Sequence, residues 1–468
     1  MVHPGRAMAL LFSFVLAGIL AASPAGRLDA AAVPNDDDSV RHALNRLTYG
    51  PRPGDLERVR RIGLGDWIDQ QLHPVKIDDS AVERQLPAPA QLVRGDSPRE
   101  ARREARRAVD DLASARLIRA AASERQLEEM LVDFWFNHFN VFAGKGRTAI
   151  YLPAYERDAI RPHVLGRFRD LLGATAKSPA MLFYLDNWLS ADPNADRRPG
   201  ADRRPKGLRL PVATPGSVAG GVQPAPVAGG LQASGKKKRG LNENYARELM
   251  ELHTLGVDGG YTQQDIVEVA RAFTGWTIDP RDHSFRFARA LHDDGAKVVL
   301  GHPLSAGGGV DDGERVLDLL AAHPSTARFI ATKLARRFFS DTPPESLVAR
   351  AAARFSATDG NIAEVVRTII TSPEFFAAGA RHAKVKTPLE FVVSAVRATG
   401  ASVTDTRPML KALRDLGMPL YMCQPPTGYD DAAETWVSPG ALVTRINVAQ
   451  QIAGARAAEI GSPEFQKK

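Results

Sequence analysis

The chain has 468 residues, 44% of them hydrophobic, with a formal net charge of +7 and a single cysteine, Cys423. Such a composition can bury a sizeable core. It excludes an intramolecular disulfide and any thiolate metal cage, leaving His, Asp and Glu as the strong ligands. The charge excess is local: residues 191–240 hold ten Lys or Arg against three Asp or Glu, the whole of the +7, so nucleic-acid binding by a basic face of the folded body is not expected.

In chain order, residues 1–32 read as a secretory signal peptide: Arg6, an apolar run from Ala9 to Ala22, and a small-residue exit with Ala30-x-Ala32. The run is about 14 residues, short of the roughly 20 that a membrane helix needs. A periplasmic or secreted protein with no transmembrane helix after cleavage is therefore expected, with an uncleaved anchor as the alternative. Residues 33–451 read as one large helical domain and 452–468 as a C-terminal tail. The domain is interrupted at 191–240 by a basic, Pro/Gly-rich insertion whose composition cannot bury a core and predicts disorder.

The fold class predicted is mainly α, an irregular multi-helix bundle. Amphipathic patterns fill 39–72, 96–139, 165–190, 241–276 and the segments from 324 to 451, with Thr262 as an N-cap and Asp265 in the turn after it. One stretch alternates differently. In "HSFRFARALHDDGAKVVLG", Phe285, Phe287, Val298 and Leu300 flank Asp294-Gly295, predicting a small β-hairpin near 284–301.

Placing residues at 100° per position exposes the polar groups that do not fit their surroundings. In "LNENYARELMELHTLG" (241–256), Glu243, Arg247 and Glu251 form a stripe spaced for ion pairing. Glu248 instead projects into the apolar arc with Asn244 beside it, while Asn242 and His253 lie together at the arc's other edge. A carboxylate aimed at the core must be protonated, paired or metal-bound. In "QLEEMLVDFWFNHF", His138 points into the middle of the apolar arc with Asn137 at its edge, and Phe136 faces the opposite, polar side. Asp186-Asn187 and His292-Asp293 also interrupt apolar surroundings, although capping and turn chemistry explain either pair. Glu248, His138, Asp186, His253 and His292 together make the donor set of a divalent-metal site, and equally an acid/base set. No metalloprotease, nucleophile-elbow, P-loop or EF-hand motif is present.

The blocks "FWFNHF", "SPAMLFYLDN", "NENYARELMELHTLGVDGGYTQQDIVEVARAFTGWT", "HDDGAKVVLG" and "HPSTARFIATKLARRF" resemble, in order, those of the large bacterial family labelled domain of unknown function 1800. The resemblance runs from about Val40 to about Gln451. It implies an exported bacterial protein with a variable insertion between the YLDN and NEN blocks. It supplies no reaction, only recurrent positions: Asn137, His138, Asp186, Asn187, Asn242, Glu243, Asn244, Arg247, Glu248, Glu251, His253, Trp276, His292 and Asp293. The sequence departs at Phe136, where the family pattern has histidine.

Two readings follow. One is an exported hydrolase-like enzyme acting on envelope or extracellular polymer, with or without a divalent metal. In it Glu248 is base or ligand, His138 and His253 carry protons or ligate, Asp186 orients, and Arg247 clamps an anionic group. The other is a non-catalytic envelope or surface protein, partnered by polymer or another exported protein. Its inward polar groups form a satisfied network, and Trp135, Trp188, Trp276 and Trp436 contribute to a binding surface.

Overall fold

A computed structural model describes residues 33–88, 97–195, 240–453 and 457–468. The predicted signal peptide and residues 196–239 of the predicted insertion lie outside the described residues. The helices in chain order are α1 (Asp37–Leu47), α2 (Asp55–Ile62), α3 (Leu64–Leu72), α4 (Ser80–Glu83), α5 (Pro98–Ala122), α6 (Gln126–His138) and α7 (Thr148–Ala154). Next come α8 (Phe168–Lys177), α9 (Pro179–Tyr184), α10 (Glu243–Met250), α11 (Gln263–Ala272), α12 (Val310–Ala322), α13 (Pro324–Phe338) and α14 (Glu345–Ala357). The last are α15 (Ile362–Ile370), α16 (Pro373–Phe376), α17 (Pro388–Thr399), α18 (Arg407–Asp415), α19 (Ala433–Trp436), α20 (Pro439–Ala453) and α21 (Ala457–Ile460). The fold is mainly α, and one continuous apolar cluster runs from Val40 to Ile460. No helix among the described residues is long and apolar enough to cross a membrane.

Local chemistry sets several boundaries where the sequence places them. Thr262 and Asp265 form a reciprocal capping box at α11, the Thr262 hydroxyl accepting from Asp265 N and Asp265 Oδ2 accepting from Thr262 N at 2.9 Å. Ser97 caps α5 and Thr387 caps α17, each followed by proline at the first helical position, where its missing N–H costs nothing.

The β region differs from its prediction. It consists of two antiparallel hairpins, β1 (Trp276–Ile278) with β2 (Phe285–Phe287) and β3 (Lys297–Val299) with β4 (His302–Leu304). Asp294-Gly295 makes neither turn. The β3–β4 turn is Leu300-Gly301, whose φ values of 50° and 78° provide the left-handed pair that a tight two-residue turn requires. The inward residues are consequently Lys297 and Val299, while Val298 is exposed. A one-residue change of register exchanges the two faces of a strand.

The C-terminal residues, expected as a tail, pack into the body. Lys384 and Lys468 exchange backbone hydrogen bonds, and Gln466 O accepts from Lys386 N at 2.9 Å. The Lys468 ammonium is buried against the Glu390 carboxylate. The two ends of the predicted insertion also meet, Ala191 N donating to Gly240 O at 3.1 Å.

The side of α6 that reads as polar is buried as well, against an ionic lattice. Asp133 bridges Arg116 at 2.8 Å and Arg337 at 3.1 Å. Glu129 holds Arg161 at 2.5 Å, and Glu156 accepts from the Tyr421 hydroxyl at 2.6 Å while facing Arg116 and Arg161. Arg337 continues to Glu390 at 3.2 Å. Phe136 lies within this layer, its ring 5.4 Å from the Arg116 guanidinium and edge-on to Tyr421. Burial alone would raise the Glu390 carboxyl, but Arg337 and Lys468 outweigh it and hold it well below the carboxylate range. Removing one partner from such a lattice strands a buried charge at a cost of about 3–5 kcal/mol. Glu390→Ala is therefore expected to lower the urea-unfolding free energy by about that amount. An exposed-pair control, Glu345→Ala facing Arg328, is expected to change it far less, because solvent screens the pair.

Candidate functional site

Glu248 sits on α10, whose Tyr245, Ala246, Leu249 and Met250 are buried. The carboxylate is half-buried and makes no hydrogen bond or ion pair with the described residues. Burial, with Glu251 adding and Arg247 opposing, pushes it up to about 7. Asn244, expected beside it in the apolar arc, is exposed. The stripe of Glu243, Arg247 and Glu251 is bridged by neutral groups: Gln263 Nε2 donates to Glu243 and Gln263 Oε1 accepts from Arg247 at 2.9 Å, while the Tyr261 hydroxyl donates to Glu251. Arg247 is thus held on the outer face of α10.

After Met250 the chain widens into a π-helical turn, Glu251–Leu255. The wider turn shifts the helical phase, and His253 swings from the edge of the apolar arc to complete burial. There its carbonyl accepts from His138 Nε2 at 3.1 Å, with the ring centroids 6.2 Å apart. That bond places the His138 proton on Nε2 and leaves a buried Nδ1 lone pair unpartnered. Burial, reinforced by Lys333, pushes His253 down to about 3, and His138 falls well below the usual imidazole range for the same reasons. Both are neutral members of a layer containing Trp135, Phe139 and Phe329.

Asp186 follows α9 with φ of 62°, a left-handed geometry that carboxylate and amide side chains tolerate. It remains partly open to solvent and binds Lys145 Nζ at 3.0 Å. Lys145 also donates to the Tyr184 carbonyl, and its ammonium lies 5.7 Å from the Tyr184 ring centre. The Tyr184 hydroxyl donates to Gln424 O at 2.7 Å. Burial raises that phenol's pKa, and Cys423 and then Glu248 add to the rise.

The other expected residues brace the backbone. Asn187 Nδ2 donates to Phe273 O and Trp276 O, and Asn242 caps α10 while donating to Leu185 O at 2.7 Å. Asn137 forms a two-way amide bridge with Tyr429, donating to its carbonyl and accepting from its N–H, both at 2.7 Å. His292, fully buried, meets Thr274 O through Nδ1 at 2.9 Å and Asp312 Oδ2 through Nε2 at 3.2 Å. Lys297 closes the same knot, donating to Asp312 at 2.7 Å and to the carbonyls of Asp293 and Gly295. Asp293 receives Arg271 in a fork at 2.8 and 3.1 Å. Trp135, Trp276 and Trp436 are buried, and Trp188 stacks on Phe183 at 5.6 Å, so the expected aromatic binding surface does not form.

Of the five candidate metal ligands, His138 and His253 share a layer, whereas Asp186 is taken by Lys145 and His292 by Thr274 and Asp312. Among the described residues, no group of three or more His, Cys, Asp or Glu is placed to hold a metal ion.

Sequence reasoning missed the segment 418–431, which Asn137 and Asn140 hold against α6. Asn140 Nδ2 donates to Cys423 O at 3.0 Å and Pro425 O at 2.7 Å. It also missed Lys145 and Tyr184. The "QPPTGYDD" run, a Pro/Gly loop rich in groups able to bond backbone amides, is the signal that points to it. Cys423 in this loop is buried and its thiol is pushed up to about 11, which makes it inert.

The buried histidines set a pH dependence. His42 and His253 are pushed down to about 3 by burial and His138 well below 6.5, whereas unfolded imidazoles take up protons near 6.5. Their stabilising contribution is complete above pH 6.5 and is lost as pH falls towards 3. Urea midpoints measured from pH 7 to pH 4 should decline, and less steeply for His253→Gln than for the unmodified chain. Equal slopes would show that His253 is not held neutral.

The family model described as "Protein of unknown function (DUF1800)" matches residues 42–467. No curated protein and no solved structure matches the chain.

Proposed function

Starting from the fact that the chain belongs to the DUF1800 family, we propose that it is an exported hydrolase-like enzyme whose general base is Glu248, acting on an envelope or extracellular polymer. The observation that carries this reading is the Glu248 carboxylate itself: half-buried, without a partner among the described residues, and pushed up to about 7. A base with that pKa is largely ionised just above neutrality yet still takes a proton readily, the condition under which acid–base catalysis is efficient. In this role the carboxylate removes a proton from water as the oxygen attacks the substrate, then returns it to the leaving group. The Lys145 ammonium, oriented by Asp186 at 3.0 Å, supplies positive charge for the oxygen that becomes negative. His138, His253 and His292 have no direct part; they hold the layer behind α10 and the β hairpins in place.

Export rests on the N-terminal sequence, and intact-mass measurement of protein recovered from the periplasm or medium should give a chain beginning at Val33. For the site, a panel of fluorogenic glycan, ester, peptide and phosphodiester substrates is expected to yield one activity that rises through about pH 7 and falls roughly 100-fold or more in Glu248→Gln. Stability should move in the opposite direction. A carboxyl raised from 4.5 to about 7 costs the fold stability as pH climbs from 4.5 to 7, the loss being complete above 7, so Glu248→Gln should raise the thermal midpoint at pH 8 and leave it unchanged at pH 4.5. Full activity in the variant would sink the proposal.

The second reading, a non-catalytic envelope or surface protein, is favoured by a different observation. Most of the family-block polar side chains are already bonded, six of them to backbone groups (Asn137, His138, Asn187, Asn242, His292 and Asp293) and Asp186, Glu243, Arg247 and Glu251 to other side chains, and the recess of about 430 Å³ between Arg52, Asp55, Arg58 and Glu124 contains none of the expected site residues. Absence of turnover across the panel, with polymer still bound, would establish it.

A further inference from the structure

The first three turns of α5 carry five arginines between positions 99 and 107. At 100° per residue, Arg99, Arg102, Arg103, Arg106 and Arg107 fall within an arc of about 140°, and all five are exposed. None is drawn into an ion pair or hydrogen bond with the described residues, although Glu100 and Glu104 stand on the same turns. Glu100 instead accepts from the Ser97 hydroxyl at 3.0 Å. Burial on α5 begins only at Ala108, Ala113 and Leu117, so these turns project from the body.

The arrangement is unfavourable for the helix itself. Cations near a helix N-terminus oppose the macrodipole, and Arg99 with Arg103, Arg102 with Arg106 and Arg103 with Arg107 are like-charged neighbours one turn apart. The Ser97 cap and Pro98 start the helix here regardless. We infer that the arginine face of α5 is a docking surface for a linear acidic polysaccharide. The guanidinium fork matches anionic oxygens two at a time, and Arg99, Arg103 and Arg107 form a ladder rising about 6 Å per step. From 98 to 107 there is no large apolar side chain to enter a bilayer. From 98 to 122 there is no aromatic side chain on which a base could stack. Charge complementarity without either device fits an anionic sugar chain rather than a membrane or a single-stranded nucleic acid. Glu100 and Glu104, at the edge of the arc, confine an anionic strand to the arginine side.

The inference stands on this surface and is independent of Glu248. The test is titration calorimetry of the mature full chain with polygalacturonate at 50 and 200 mM salt, alongside uncharged dextran, single-stranded DNA and anionic lipid vesicles. Polygalacturonate should bind, with affinity falling as salt rises, and dextran should not. Arg103→Glu with Arg107→Glu should weaken binding at least tenfold and flatten its salt dependence while leaving the far-ultraviolet dichroism unchanged. Glu248→Gln should bind as the unmodified chain does. Undiminished binding by the double variant, no binding at all, or tighter binding of DNA or vesicles than of polygalacturonate would each overturn the assignment.

Discussion

The contact of Asp133 with both Arg116 and Arg337 is the constraint on which the rest of the body depends. One carboxylate on α6 fixes α5 on one side and α13 on the other, and through Arg337 reaches Glu390 on α17 and the C-terminal Lys468. Taking those charges out of water is expensive, and only mutual satisfaction offsets it. The lattice therefore acts as a gauge of assembly: helices displaced by even a fraction of a turn would strand a buried charge. Apolar packing alone tolerates such displacement, because one hydrophobic contact substitutes for another.

Around this lattice, asparagine and histidine side chains set the positions of the irregular segments. Asn137 and Asn140 hold 418–431, Asn242 joins α10 to the end of α9, Asn187 joins α9 to β1, and His292 with Lys297 fastens the hairpins to α12. A loop cannot bury its own amides without partners, and each of these side chains supplies them. Glu248 and the Lys145–Asp186 pair stand apart from this bracing, Glu248 because it bonds to none of the described residues and the pair because it stays partly open to water.

Helix positions, caps and fold class were legible because each follows from local periodicity and capping chemistry, as at Thr262 and Asp265. Glu248 was legible as an anomaly because α10 is regular up to Met250. His253 was misplaced because the π-helical turn that contains it, Glu251–Leu255, cannot be read from a projection at a fixed angle. The hairpin register was misread because Asp294-Gly295 is a strong local turn pair, yet the burial of Lys297 against Asp312 decides the register. The lattice itself was invisible. Arg116, Asp133, Arg337 and Glu390 look in sequence like the solvated charges of ordinary amphipathic helices, and only their convergence from distant segments shows otherwise.

The braces share one trait: nearly all of them end on a backbone carbonyl. Leu185, Phe273, Trp276, Cys423, Pro425, Tyr429 and His253 receive these bonds through an atom that every amino acid carries. The receiving side chain is therefore free to drift by this criterion, whereas the donating asparagine or histidine has no substitute of the same reach and hydrogen-bonding pattern. Identity in such a chain is written on one side of each contact only, and methods that look for paired changes between touching residues would find little signal at the joints that matter most.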